Sequence, residues 1–188
     1  KNEKLNTDIA NNKYILGVGR LTTQKNFKLL INFYIKLIKK YPEYKLYVLG
    51  EGEDRIVLNN LILKHQLNKK VFLLGHKNNI FKYLKHADCF ILSSLWEDPG
   101  FVLAEAAATN TNIISSNCPN GPKEIINNND FLFENGSSDD LLNKFQIYKS
   151  KSAIDLINQK IKNKKRIKFY TLFQHYKNLN SILNHNNE

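Results

Sequence analysis

The sequence predicts an α/β domain, a Rossmann-like three-layer arrangement of about six parallel strands followed by C-terminal helices. Three observations carry that expectation. Short apolar runs such as Tyr14–Val18, Lys45–Leu49 and Cys89–Leu92 alternate with stretches of helical period. Several of these runs end in glycine or small polar residues, where a strand hands over to a loop. The chain has 188 residues, 42% of them hydrophobic and 24% charged, which allows one buried core with an appendage. Strand–helix alternation at this spacing implies right-handed βα crossovers.

Residues 1–12 are polar and read as a linker or lead-in, and 13–148 as the domain proper. The first strand ends in Gly17-Val18-Gly19-Arg20, where two glycines imply close approach of backbone to a ligand or a neighbouring helix. After the loop Leu21–Asn26, Asn26 can cap a helix over Phe27–Lys40, with Phe27, Leu30, Ile31, Tyr34, Leu37 and Ile38 as its apolar stripe. Lys45–Leu49 leads into Gly50-Glu51-Gly52-Glu53 and a helix over Asp54–His65, with Ile56, Leu61 and Leu63 as its apolar positions. Val71–Leu74 delivers Gly75-His76 ahead of a short helix over Asn79–His86.

Cys89–Leu92 then runs out through Ser93 and Ser94, turns at Asp98-Pro99-Gly100 and enters an Ala-rich helix. Asn112–Ser115 forms the fifth strand, a helix lies near Pro122–Ile126, and Phe131–Phe133 is the last strand. Ser137 and Ser138 start a helix that runs through Tyr148. Residues 149–188 read as a basic helical segment with apolar positions at Ile154, Ile157, Ile161, Phe169, Leu172, Phe173, Tyr176 and Leu179.

Three constellations could carry chemistry. Gly19, Arg20 and Lys25 place two cations in a glycine-bearing loop at a strand end, which suits a phosphate or diphosphate. The plainer alternative is a structural turn with surface cations. Glu97 and Glu105 bracket a strand-turn-helix, with the helix N-terminal amides of Gly100, Phe101, Val102 and Leu103 between them. Such a site can offer carboxylates to sugar hydroxyls and amides to phosphate, unless both carboxylates are simply solvated. Gly75-His76 sits at a third strand end, where His76 contacts a ligand or faces water. The pattern is neither a P-loop nor GxGxxG.

Composition narrows the remaining classes. Cys89 and Cys118 lack a metal-ligand spacing and read as buried free thiols. No apolar run reaches the length of a membrane span, so a soluble, cytoplasmic protein is expected. Met is absent, even at position 1, which reads as a fragment or processed chain. The net charge of +11 is concentrated toward the C-terminus, in Lys160, Lys162, Lys164, Lys165, Arg166 and Lys168. That run fits a solvated face or an anionic membrane surface. Nucleic acid is disfavoured because aromatic interleaving is missing.

In order, the blocks G-V-G-R-L…Q-K-N-F, L-Y-V-L-G-E-G, V-F-L-L-G-H, S-S-L-W-E-D-P-G-F-V-L-A-E-A and N-G-P-K-E-I span about Tyr14–Phe145. Together they resemble the C-terminal half of a GT-B-fold retaining glycosyltransferase. More narrowly, the chain is similar to glycosyltransferase family 4 (glycosyl transferases group 1) enzymes of surface polysaccharide assembly. The family's E-x7-E pattern stands here as Glu97 and Glu105.

The resemblance implies a nucleotide-sugar donor, UDP-linked by family weight, with no metal or other cofactor. Arg20 and Lys25 would hold the diphosphate beside Gly19, and Glu105 the ribose hydroxyls. Glu97 would face the donor sugar, Gly75 and His76 the base, and the amides from Gly100 to Leu103 the sugar and phosphate. Ser94 takes the family's small-polar position. Arg20, Lys25 and Glu97 would form the catalytic set for hexosyl or N-acetylhexosaminyl transfer. A glycan or lipid-linked acceptor would bind through a missing N-terminal domain, leaving this fragment inactive alone, at the inner face of the plasma membrane. A non-catalytic nucleotide- or anion-binding module is the alternative.

Asp98-Pro99 replaces the family's Gly-aromatic pair and stiffens the loop. Asn110-Thr111-Asn112-Ile113 stands for G-x-P-V, and Gly121-Pro122 for Gly-Gly.

Overall fold

A computed structural model describes residues 5–98 and 100–170. The stiffening expected at Pro99 and the apolar positions Leu172, Phe173, Tyr176 and Leu179 lie outside them. Six strands form one sheet: β1 (Tyr14–Val18), β2 (Lys45–Leu49), β3 (Val71–Leu73), β4 (Cys89–Leu92), β5 (Ile113–Ser116) and β6 (Leu132–Phe133). Their order is β3-β2-β1-β4-β5-β6, and every pairing is parallel. This is the doubly wound order, in which the direction of winding reverses between β1 and β4.

Eight α-helices connect and flank these strands among the described residues: α1 (Thr7–Ala10), α2 (Phe27–Leu37), α3 (Arg55–Lys64), α4 (Phe81–His86), α5 (Phe101–Ala108), α6 (Pro122–Ile125), α7 (Ser138–Ser150) and α8 (Ala153–Arg166). The lead-in is not wholly free of the domain, since Leu5 enters the core beside Ile9 of α1. Asn26 caps α2 as expected, its side chain accepting from the Leu29 amide. Gly17 packs tightly under that helix: a Cβ there would lie 2.9 Å from both Phe27 and Leu30. Ser137 caps α7 by accepting from the Asp140 amide.

The predicted stripe of α2 is its buried face, with Ile38 partly covered just past its end. Two other helices correct the sequence reading. In α3 the core residues are Leu58 and Ile62; Ile56 and Leu63 are exposed, and Leu61 is partly buried. The i, i+4 pair Leu58–Ile62 is the one that meets the sheet. In α8 the segment is amphipathic as expected, but of its apolar residues Leu156 packs partly against the core. Ile154, Ile157 and Ile161 face outward, while the buried residues are Gln159 and Asn163.

The reason is visible at the end of α6. Its terminal carbonyl at Ile126 needs donors, as helix C-termini do. Gln159 Nε2 donates to it at 3.0 Å and Arg166 Nη1 at 3.0 Å, while Asn128 Nδ2 donates to Gln159 Oε1 at 2.8 Å. The polar face of α8 therefore satisfies the body, and Ile154, Ile157 and Ile161 are left outside.

On the other flank, Phe145 of α7 stacks edge-on against Tyr41, Tyr44 and Tyr148 with ring centroids 5.4–5.8 Å apart. Tyr44 and Tyr148 both donate to Asp88, which anchors α7 at the N-terminal end of β4. Cys89 and Cys118 are both buried free thiols. Among the described residues no helix is long and apolar enough to cross a membrane.

Candidate functional site

The C-terminal ends of β1 and β4 open onto one crevice, the position at which doubly wound sheets bind ligands. Two loops meet there. From β1 comes Gly19–Lys25, ending in a single 3-10 turn over Thr23–Lys25. From β4 comes Ser93–Gly100. Hydrogen bonds stitch them together: Ser93 Oγ donates to the Lys25 carbonyl at 2.7 Å, the Leu95 amide to the Gln24 carbonyl at 2.8 Å, and Gln24 Nε2 to the Trp96 carbonyl at 3.0 Å.

An ion pair lies at the centre of this seam. Lys25 Nζ sits 2.7 Å from Glu97 Oε1 and 2.8 Å from Oε2. Ser94 Oγ donates to Oε1 at 2.5 Å. The Glu97 side chain is 3% exposed and that of Lys25 15%, so the pair is largely withdrawn from water. Pattern alone places Lys25 and Glu97 in separate constellations, and the family resemblance joins them in one catalytic set; the structure brings the two side chains into contact. Gln24 was missed altogether, and its position beside Lys25 in the same loop was the available signal.

Gly100 closes the loop and opens α5. Its φ of +74° is left-handed, and a Cβ there would lie 3.2–3.4 Å from the Glu97 side chain. No side chain caps α5, and within its first turn the Leu103 amide donates to the Gly100 carbonyl at 2.9 Å. Leu103 is buried in the core and Val102 is partly buried, while the Phe101 ring is exposed.

Further along α5, Glu105 is half-buried and has no side-chain partner among the described residues. Burial raises its carboxyl above the ordinary 4.5. A raised folded-state value means stability that is present below pH 4.5 and lost as pH climbs through the folded value. Glu105→Gln should therefore unfold at a higher temperature than the parent chain at pH 7, with the difference vanishing near pH 4. Thermal melts across that range check it, and an unchanged melt at pH 7 would contradict the burial cost.

The second part of the site lies over β1, β2 and β3. A cavity of about 470 Å³ is lined there by Gly19, Arg20, Gly50, Glu51, His76 and Lys77, among others. Arg20 and His76 are exposed and have no side-chain partner among the described residues. Gly75 and Gly50 pair through an isolated bridge, the Gly50 amide donating to the Gly75 carbonyl at 2.9 Å. Lys77 and Gly50 were not predicted as site residues, although each lies next to one that was or at a strand end.

The structure thus gathers Gly19, Arg20 and His76 in the cavity, and Lys25, Ser94, Glu97 and Gly100 in the seam. Glu105 stands on α5 and lines neither. No group of three or more His, Cys, Asp or Glu suited to a metal occurs among the described residues.

Fold and seam together define an α/β domain that presents a cationic loop and a carboxylate-bearing turn at its switch point. The chain belongs to the glycosyl transferases group 1 family, which it matches over residues 2–169. It is 42% identical over 125 residues to an uncharacterized glycosyltransferase, MJ1059, of Methanocaldococcus jannaschii, covering 66% of this chain and 31% of that protein. It is 34% identical over 165 residues to the N-acetylgalactosamine-N,N'-diacetylbacillosaminyl-diphospho-undecaprenol 4-alpha-N-acetylgalactosaminyltransferase of Campylobacter jejuni, covering 86% and 44%. The chain therefore spans less than half the length of either relative. Among solved structures, Anabaena Alr3699/HepE in complex with UDP superposes with a TM-score of 0.82 at 18% identity, over 95% of this chain and 50% of that one. The fold is the Rossmann-like half of a GT-B glycosyltransferase, as the sequence predicts.

Proposed function

We propose that this chain is the donor-binding domain of a retaining glycosyltransferase of family 4. It would move a hexosyl or N-acetylhexosaminyl group from a nucleotide diphosphate sugar to a glycan or lipid-linked acceptor in surface polysaccharide assembly. The observation that carries the reading is the meeting of the Arg20–Lys25 loop and the Glu97–Glu105 turn at the switch point, beside a cavity sized for a nucleoside.

In this reading the base enters the cavity near His76 and Gly75, and the diphosphate lies at Gly19, Arg20 and Lys25. Glu105, without a side-chain partner among the described residues, takes the ribose hydroxyls. The Lys25–Glu97 pair sets an ammonium where negative charge grows on the leaving diphosphate, an electrostatic contribution that needs no rearrangement during reaction. Glu97 and the amides from Gly100 onward face the donor sugar. UDP is favoured because a superposable relative is a UDP complex. No divalent metal takes part. The acceptor would bind through an N-terminal domain, so the chain alone would not transfer sugar. The protein would work in the cytoplasm at the inner face of the membrane, in peripheral contact with anionic lipid.

Calorimetric titration with UDP, GDP and ADP tests the reading. UDP should bind measurably at millimolar concentration or below, with the same affinity in EDTA. No heat with any of the three nucleotides would overturn the preformed donor site and favour a module with another anion as its ligand.

A further inference from the structure

We propose that the outward face of α8 is a docking surface for an anionic lipid bilayer. Ile154, Ile157 and Ile161 are 70%, 53% and 47% exposed, an unusual display for three branched apolar side chains on one helix. Their i, i+3, i+7 spacing puts them on one line. The same line continues into Lys164 and Lys165, both exposed, and an exposed Lys168 follows in the next turn. Asp155, the one acidic residue of α8, lies off that line and is engaged with Ser152 at the helix start.

The helix has no freedom to roll its isoleucines inward. Gln159 and Arg166 are committed to the Ile126 carbonyl, and Asn163 is buried on the same inner face. An apolar line with lysines at one end is the pattern of a helix lying in a membrane interface. The branched side chains enter the headgroup boundary while the ammonium groups meet anionic lipid. A nucleic acid would use the lysines but gain nothing from the isoleucines. This deepens the acceptor side of the proposed function, because a lipid-linked acceptor resides in the same bilayer. The test below contains neither donor nor acceptor, so its failure would leave the donor reading standing.

The 188-residue chain should co-sediment with vesicles of equal parts phosphatidylglycerol and phosphatidylcholine in about 0.1 M salt, and about tenfold less with phosphatidylcholine alone. Ile157→Asn with Ile161→Asn should weaken binding about tenfold at an unchanged thermal melt. Lys164→Gln, Lys165→Gln and Lys168→Gln together should abolish the preference for anionic vesicles. Since Cys89 and Cys118 are buried, Ile157→Cys can carry an environment-sensitive fluorophore, whose emission should shift to the blue only when anionic vesicles are added.

Failure to sediment with anionic vesicles would overturn the proposal. So would binding untouched by the isoleucine changes, as expected of a nucleic-acid-type electrostatic surface. Emission already blue before vesicles are added would also overturn it, since residues 171–188 or a second copy would then cover the face.

Discussion

Glu97→Ala should cost about 3 kcal/mol of folding stability, because it leaves the Lys25 ammonium without its partner in a nearly dry seam. The Ser94 hydroxyl loses its acceptor in the same step. Glu97→Gln keeps the shape and one acceptor, so it should cost less. The double change Lys25→Met with Glu97→Gln should recover most of the loss, since removing both charges also removes the desolvation that the pair must offset. Urea unfolding of Lys25→Met, Glu97→Gln and the double variant closes the cycle. Losses that simply add would show that the pair is not coupled, whatever its distance. The effect on the site is separate from the stability term. The seam fixes Lys25, and a Lys25 released to solvent should hold a diphosphate less well even at temperatures where the chain stays folded.

Gly50→Ala should be more damaging still. A Cβ at position 50 would lie 1.9 Å from the Gly19 carbonyl oxygen and 2.8 Å from its carbon. Both are backbone atoms, so no side chain can swing aside. Residue 50 also has φ +137°, a value that side chains disfavour. The β1 loop is tied to the β2 loop here, the Gly19 amide donating to the Leu49 carbonyl at 3.0 Å and the Leu21 amide to the Glu51 carbonyl at 2.8 Å. Relieving the clash must stretch these bonds and move Arg20. The expected cost is about 4 kcal/mol, or a fall in Tm of roughly 10 °C for a domain of this size. Gly136→Ala is the control: its φ is +84°, but nothing lies within 4 Å of the added methyl. It should lose only about 1 kcal/mol to backbone strain. Equal losses at both positions would mean that the clash at Gly50 is absorbed at little cost.

Much of the fold could be read from the chain because each βα unit announces itself locally. The six strands sit within a residue or two of their predicted positions, and Asn26 and Ser137 cap the helices that follow them. The pairing of Lys25 with Glu97 was not legible. Those residues are 72 positions apart and meet only because β1 and β4 become neighbours at the switch point. Local pattern gave each loop its charge without saying which loops touch. The outward turn of the α8 isoleucines has a different cause. Periodicity shows that Ile154, Ile157 and Ile161 share a face, but the choice of inward face was made by the carbonyl of Ile126, on another helix. In α3, similarly, apolar residues occupy several faces and the sheet selects Leu58 and Ile62. The site residues on strand-end loops were found because glycine and charge coincide there; Gln24 and Lys77 escaped because neither breaks a pattern.

The proposed site assigns the diphosphate to Arg20 and the ribose hydroxyls to Glu105, both without side-chain partners among the described residues. Calorimetric titration of UDP into the parent chain, Arg20→Ala and Glu105→Ala tests it most directly. Each substitution should weaken binding about tenfold, the worth of one charge-assisted hydrogen bond. UDP affinity unchanged in both variants would contradict the account.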